Sequence, residues 1–228
     1  MKKKIKAILT NLAKKNLFFR KISRGVLNTY KHIRYKFRGI DKKIDENMVF
    51  FSSFNGKYYT DSPKAIYLYM KNNPEFKNYK FVWAFSEPEN HKDLECEDTI
   101  IVKQDSKSYE KYLTIAKYWV TNHRVYDYIY PKKNQVYVQC WHGTPLKRLA
   151  HDIDVSEDTT FYRSGVSYEQ MCNSYDVDVA RYNYMISPNA FCTKVFQTSF
   201  KINRERLIET GYPRNDFISN ATKEECDA

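Results

Sequence analysis

Two periods of hydrophobic and polar positions alternate along this chain. From Met48 onward, short apolar runs recur with room for a helix between them. They are Met48-Val49-Phe50-Phe51, Lys80 to Phe85, Thr99-Ile100-Ile101-Val102, Tyr118-Trp119-Val120-Thr121, Val136 to Cys140 and Tyr182 to Ser187. Rich in β-branched and aromatic residues and bounded by turn formers, each predicts a strand. The run Phe81-Val82-Trp83-Ala84-Phe85 is wholly apolar and predicts burial on both faces. Helices are expected between them: Asp61 to Asn72, with Asp61 or Ser62 as cap and Pro63 in the first turn, Ser106 to Lys117, and Asn189 to Phe200. Strands separated by helices predict an α/β, Rossmann-like parallel sheet.

The first forty residues follow the other period. Ile5, Ile8, Leu12, Phe19, Ile22, Val26, Tyr30, Ile33 and Phe37 fall mostly three or four apart, as on one face of a helix that Gly39 can end. Charge separates this arm from the rest. The 228-residue chain has a formal charge of +11, yet residues 1–40 hold 13 of its 38 Lys and Arg and none of its 27 Asp and Glu. Residues 41–228 therefore net −2, and a nucleic-acid-binding surface over the whole molecule is disfavoured. A basic amphipathic helix suits an anionic membrane surface, with Lys2, Lys3, Lys4, Lys6, Lys14, Lys15, Arg20, Lys21 and Arg24 as its cations. An ordinary helix packing its stripe on the domain is the alternative. No apolar run approaches the ~20 residues of a membrane span, and no signal-peptide pattern is present.

Parallel strands bring their C-terminal ends to one edge, where ligands of such sheets bind. Ser53, Asn55 and Lys57 follow the first strand, Asn122, His123 and Arg124 the fourth, and Ser187 and Asn189 the sixth. After the fifth comes Trp141-His142-Gly143-Thr144-Pro145-Leu146-Lys147-Arg148, with Leu146 to Ala150 read as the start of a helix. An imidazole, a glycine that admits close backbone approach and two cations suit proton transfer beside a phosphate. A histidine packed beside a loop fits the same residues. Asn122 and Arg124 fit either a loop cap or a phosphate contact, arginine through its planar fork. His151 and Asp152 are candidates for a supporting role.

Other chemistries are not supported. The five cysteines show no ligand spacing, and Cys140 reads as a small core residue. No HExxH, P-loop or dinucleotide fingerprint occurs, so no metal or cofactor is expected. The 20 tyrosines and 14 phenylalanines are dispersed, which fits core packing better than a saccharide platform.

Two blocks carry a family resemblance. Trp141 to Lys147, and Thr210-Gly211-Tyr212-Pro213-Arg214-Asn215-Asp216, with Ile186-Ser187-Pro188-Asn189 between them, resemble motifs of the CDP-glycerol glycerophosphotransferases of Gram-positive teichoic acid synthesis. The likeness runs from about Met48 to Asp216, and the family often has glycine where Ala150 stands. It implies a GT-B enzyme of two facing Rossmann-like domains, with residues 41–216 on the acceptor side. Residues 1–40 would be the membrane-surface arm, and 217–228 a linker toward a nucleotide-binding domain beyond this sequence. It also implies transfer of glycerol phosphate from CDP-glycerol to a lipid-linked acceptor at the cytoplasmic face of the membrane, releasing CMP. His142 would be the base, with Asn122, Arg124, Gly143, Thr144, Lys147, Arg214, Asn215 and Asp216 on substrate and phosphate. A CDP-ribitol-using relative and a non-catalytic acceptor-binding module are the alternatives.

Overall fold

The structure is a computed structural model that describes residues 16–156, 159–161 and 165–222. Its centre is a parallel sheet of seven strands: β1 (Asp45–Ser52), β2 (Lys80–Phe85), β3 (Thr99–Lys103), β4 (Ala116–Thr121), β5 (Val136–Gln139), β8 (Tyr184–Ser187) and β9 (Leu207–Glu209). A two-residue hairpin supplies β6 (Thr160–Phe161) and β7 (Val166–Ser167). The helices are α1 (Leu17–Gly39), α2 (Asp61–Asn72), α3 (Lys107–Ile115), α4 (Tyr168–Val179), α5 (Ala190–Ser199) and α6 (Asp216–Asn220).

The sheet order is β3-β2-β1-β4-β5-β8-β9. From β1 the chain winds outward through β2 and β3, then returns to place β4 on the other side of β1. This reversal leaves a crevice between the C-terminal ends of β1 and β4. Alternating side chains feed two cores. Phe50, Val82, Trp119, Tyr137 and Met185 pack with Tyr109 and Leu113 of α3 and Phe196 of α5. Val49, Phe51, Phe81, Trp83 and Phe85 pack with Tyr67 of α2. Trp83 is wholly buried and stacks between Phe51 and Phe85, at 5.3 and 5.5 Å. Burying one such side chain contributes on the order of 1.5–3 kcal/mol, so the apolar β2 run is a principal stabiliser of the sheet. Helix starts are set by local capping: Ser106 accepts from the Tyr109 amide, Asn189 from that of Cys192, and Ser167 forms a capping box with Gln170.

One local expectation is corrected. Leu146 to Ala150 is irregular chain, followed only by a short turn at Ala150–Asp152. Leu146 is 93% exposed, so a helix there would have no apolar face to bury. Ala150, where the resembling family often has glycine, holds φ at +41° in the region glycine favours. Helix α4 and strand β9 arise where the sequence showed neither.

The packing of α1 differs from a helix resting its apolar stripe on the domain. Tyr35 is buried, and Arg34 and Arg38 both pair with the buried Glu110 of α3. The His32 imidazole lies 3.3 Å from the Tyr128 carbonyl oxygen. The stripe Ile22, Val26, Tyr30, Ile33 and Phe37 stays exposed. Arg20, Lys21 and Arg24 fall on this helix, whereas Lys2, Lys3, Lys4, Lys6, Lys14 and Lys15 lie outside the described residues.

Candidate active site at the sheet reversal

The crevice begins with a turn after β1. Phe54, Asn55 and Gly56 all hold positive φ, at +47°, +58° and +75°. The turn runs close under β2: a Cβ on Gly56 would stand 2.9 Å from the Ser86 amide nitrogen, so this position admits no side chain without movement. From the end of β4, the buried Asn122 ties the turn down. Its Oδ1 accepts from the Phe54 amide at 2.8 Å and its Nδ2 donates to Asp61 Oδ2 at 2.6 Å. Asn122 thus reaches the crevice with both ends of its amide engaged by protein.

Asp61 is the hub of the site. Its φ is +65°, its side chain is 4% exposed, and its Oδ1 accepts from the Ser62 amide at 2.7 Å. The same oxygen accepts from Arg214 at 3.1 Å. Arg214 comes from the turn after β9, lies over the Tyr212 ring at 4.4 Å and also donates to the His142 carbonyl at 3.1 Å. One guanidinium therefore joins the two sequence blocks to the first turn of α2.

His142 leaves β5 through Trp141, whose φ of +53° redirects the chain out of the sheet. The His142 ring stacks on Trp141 at 4.5 Å and lies 6.2 Å from Phe54. Its pKa is lowered, first by desolvation and then by Arg214, while Asp61 opposes the shift. The imidazole is therefore neutral at neutral pH, the form a general base requires. At Gly143 no atom lies within 4 Å of a built Cβ, so the space beside this backbone is open. Thr144 and Lys147 are exposed on the same loop.

His123 also belongs to this neighbourhood, although its sequence context carried little signal. It is 8% exposed, and both ring nitrogens lack a partner among the described residues. Burial, helped by nearby His142, pulls its pKa down to about 4. Its backbone is fixed, because its carbonyl accepts from Thr121 and Gln139, each at 3.0 Å.

A cavity of about 620 Å³ opens beside these groups, lined by Phe54, Asp61, Lys64, Arg214, Asn215 and Phe217 among others. Asp61 was legible only as a helix start, and Lys64 carried no signal beyond its helical position. Asp216 is exposed at the start of α6. Arg124 is diverted: it pairs with the buried Asp178, donates to the Ser174 carbonyl at 2.7 Å and stacks on Tyr175. His151 binds Asp176 of α4 at 2.7 Å. Cys140 is buried, which pushes its thiol pKa up and makes it a poor nucleophile. Among the described residues, no group of three His, Cys, Asp or Glu could hold a metal ion.

Comparison with known proteins places this geometry. The family model for CDP-glycerol:poly(glycerophosphate) glycerophosphotransferase matches residues 34–228. A teichoic acid poly(glycerol phosphate) polymerase of Staphylococcus epidermidis is 36% identical over 213 residues, covering 91% of this chain and 28% of that protein. A teichoic acid glycerol-phosphate transferase of Staphylococcus aureus is 32% identical, with 81% and 45% covered. The solved wall teichoic acid polymerase TagF superposes with a TM-score of 0.73 at 34% identity, over 90% of this chain and 49% of that one. The chain thus spans half or less of the relatives it matches.

Proposed function

This chain belongs to the CDP-glycerol:poly(glycerophosphate) glycerophosphotransferase family, and we propose that it forms the acceptor-side, Rossmann-like half of a GT-B enzyme that transfers glycerol phosphate from CDP-glycerol. A terminal hydroxyl of a lipid-linked glycerol phosphate acceptor attacks the β-phosphorus of CDP-glycerol. The new P–O bond forms as the bond to the bridging oxygen breaks, and CMP leaves with that oxygen. The acceptor proton passes to His142 and from there to solvent. Arg214 and Lys147 face the charge on the phosphate oxygens, and the Gly143 and Thr144 amides donate to the same oxygens. Asn215 lines the cavity beside Arg214, and Asp216 follows it in the chain. Arg124 and Asn122 hold the walls of the crevice in this reading and meet the phosphate only if their protein partners yield.

The observation that carries this reading is the convergence of His142, Arg214 and Asp61 at the sheet reversal, beside a cavity and with a neutral imidazole. Residues 1–40 would set the domain on the cytoplasmic face of the membrane, where a lipid-linked acceptor lies, through the cations and exposed stripe of the arm.

The test is CMP release from CDP-glycerol with a lipid-linked acceptor. It uses a chimera joining residues 1–216 to the C-terminal remainder of the Staphylococcus epidermidis polymerase. His142→Ala should reduce the rate roughly 10²–10⁴-fold without unfolding the protein. Lys147→Ala should cost less. His151→Ala, whose imidazole faces Asp176, should stay near the unmodified rate. Near-full activity of the His142 variant, or equal damage from the His151 variant, would show the base to be misassigned.

A further inference from the structure

The N-terminal edge of the sheet, opposite the reversal, carries a second cavity of about 650 Å³ where α1 ends against the domain. Four lysines line it: Lys36 from α1, Lys42 and Lys43 from the link into β1, and Lys132 from the segment before β5. None of the four forms an ion pair among the described residues. The one carboxylate in the lining, Glu46, is taken by Lys117 at 2.6 Å.

The walls between these cations are apolar, with Tyr35, Ile40 and Ile44 among them. Gly39 lets α1 stop hard against the floor: a Cβ there would lie 3.2 Å from both the Lys132 stem and the Thr114 methyl. Lys132 is held in place by its bond to the Lys42 carbonyl at 2.8 Å. Its pKa is lowered by desolvation, so this cation is partly out of water with no anion to meet it.

The cavity is continuous with the apolar stripe of α1. Ile33, Phe37 and Ile40 are exposed at helical spacing, and Ile40 is itself part of the cavity wall. At its other end α1 approaches the reaction edge, where Asn28 and Lys31, on its domain-facing side, share a smaller cavity with Asn55 and Arg124. From Asn28 to Gly39 the helix rises about 16 Å, so α1 runs from one edge of the sheet to the other.

We propose that the cavity at the foot of α1 is a binding site for the headgroup of an anionic membrane phospholipid, with Lys36, Lys42, Lys43 and Lys132 on the phosphate and Ile40 and Ile44 against the start of the acyl region. An amphiphile satisfies both halves of the lining at once, which free phosphate does not. A lipid seated there fixes the tilt of α1 on the bilayer and so the height of the reaction edge above it. This inference rests on the membrane-surface reading of the arm and adds a defined site to it.

The experiment compares sedimentation with vesicles of phosphatidylcholine containing phosphatidylglycerol for three proteins. They are the intact chain, a variant with Lys36, Lys42, Lys43 and Lys132 all changed to Gln, and a control with Lys77, Lys80, Lys92 and Lys103 changed to Gln. The cavity variant should bind at least about tenfold more weakly and the control within about twofold of the intact chain. In parallel, methyl NMR follows Ile40 and Ile44 during titration with short-chain phosphatidylglycerol below its micelle concentration, and separately with inorganic phosphate. Saturable shifts with the lipid alone support the site. Equal binding by the two variants, unmoved methyl signals, or shifts of the same size with phosphate alone would each overturn it. Vesicle binding by the intact chain that survives in the cavity variant refutes the site but not the arm. Loss of binding by the intact chain refutes both.

Discussion

Asp61→Asn is the sharpest probe of how the site is held. The substitution keeps the shape of the side chain, and Asn tolerates the left-handed backbone found there. It changes what the group can do: the carboxylate accepts from the Ser62 amide, from Asn122 Nδ2 and from Arg214. The introduced amide must turn its own N–H₂ toward at least one of these donors. Asn122 cannot invert to compensate, because its Oδ1 is held by the Phe54 amide at 2.8 Å. One charge-assisted bond is lost, at about 1.5–3 kcal/mol. Arg214 also loses its ion-pair partner, but its side chain is 30% exposed and water recovers part of that loss. The expected total is about 3 kcal/mol, or a fall in Tm of roughly 6–12 °C for a domain of this size.

The same change has an electrical consequence of opposite character. Asp61 raises the His142 pKa, against the lowering by burial and Arg214. Removing the carboxylate should therefore move the His142 titration to lower pH, and Arg214→Gln should move it to higher pH. Both are read from the imidazole Cε1 proton by NMR, alongside thermal melts. A Tm within 2 °C of the unmodified chain, on the scale of the expected loss, would show that Asp61 is not a hub. An unmoved or upward His142 titration would remove Asp61 from the electrostatics of that imidazole.

Three further outcomes follow from single contacts. His123 titrates near 4 in the fold against 6.5 in the unfolded chain, so the unfolded state binds more protons between those values and stability falls as pH drops from about 6.5 to 4. His123→Leu should remove most of that loss, up to roughly 3 kcal/mol, in urea titrations at pH 7 and pH 4.5; an unchanged pH dependence would count against the buried, neutral ring. Gly56→Ala should cost about 1–3 kcal/mol, since the new methyl meets the backbone of β2 at positive φ; a loss below ~0.5 kcal/mol would contradict the close approach. Arg124→Gln should cost about 1–2 kcal/mol, because Asp178 keeps Arg181 as a second partner; a stability change near zero would return Arg124 to the set of free phosphate ligands.

Much of the sheet was legible because its residues leave little choice. Phe81 to Phe85 can be satisfied only by burial on both faces, and Asp61 to Asn72 starts and stops where its residues allow. The errors fall where local preference and tertiary need diverge. Leu146 to Ala150 has good helix formers after a proline, yet nothing packs against Leu146, and backbone reversals at Trp141 and Ala150 set the path instead. Helix α4 was missed for the converse reason. Its sequence, Tyr168-Glu169-Gln170-Met171-Cys172-Asn173-Ser174-Tyr175-Asp176-Val177-Asp178-Val179, has no clear apolar stripe. It is held through a capping box and through Asp178, whose partners Arg124 and Arg181 lie outside the helix. Strand β9 has only three residues and gains its place from pairing with β8.

The site shows a different limit. The chemistry around His142 fitted a base or a packed histidine, and the family resemblance of the two blocks nominated His142 as base and Arg214 as a phosphate contact. Neither told which carboxylate would join them. Asp61 looks in sequence like an ordinary start of a helix, and its role depends on β4 returning to lie beside β1. That return brings Asn122 to Phe54, fixes the turn after β1, and so aims Asp61 at Arg214, 153 residues away. His123 follows the same logic. Its neighbours in sequence, Asn122 and Arg124, drew attention as polar groups, yet both are consumed by structural bonds. The histidine between them is the one whose ring nitrogens have no partner among the described residues. Such a buried orphan costs free energy unless a ligand or water completes it.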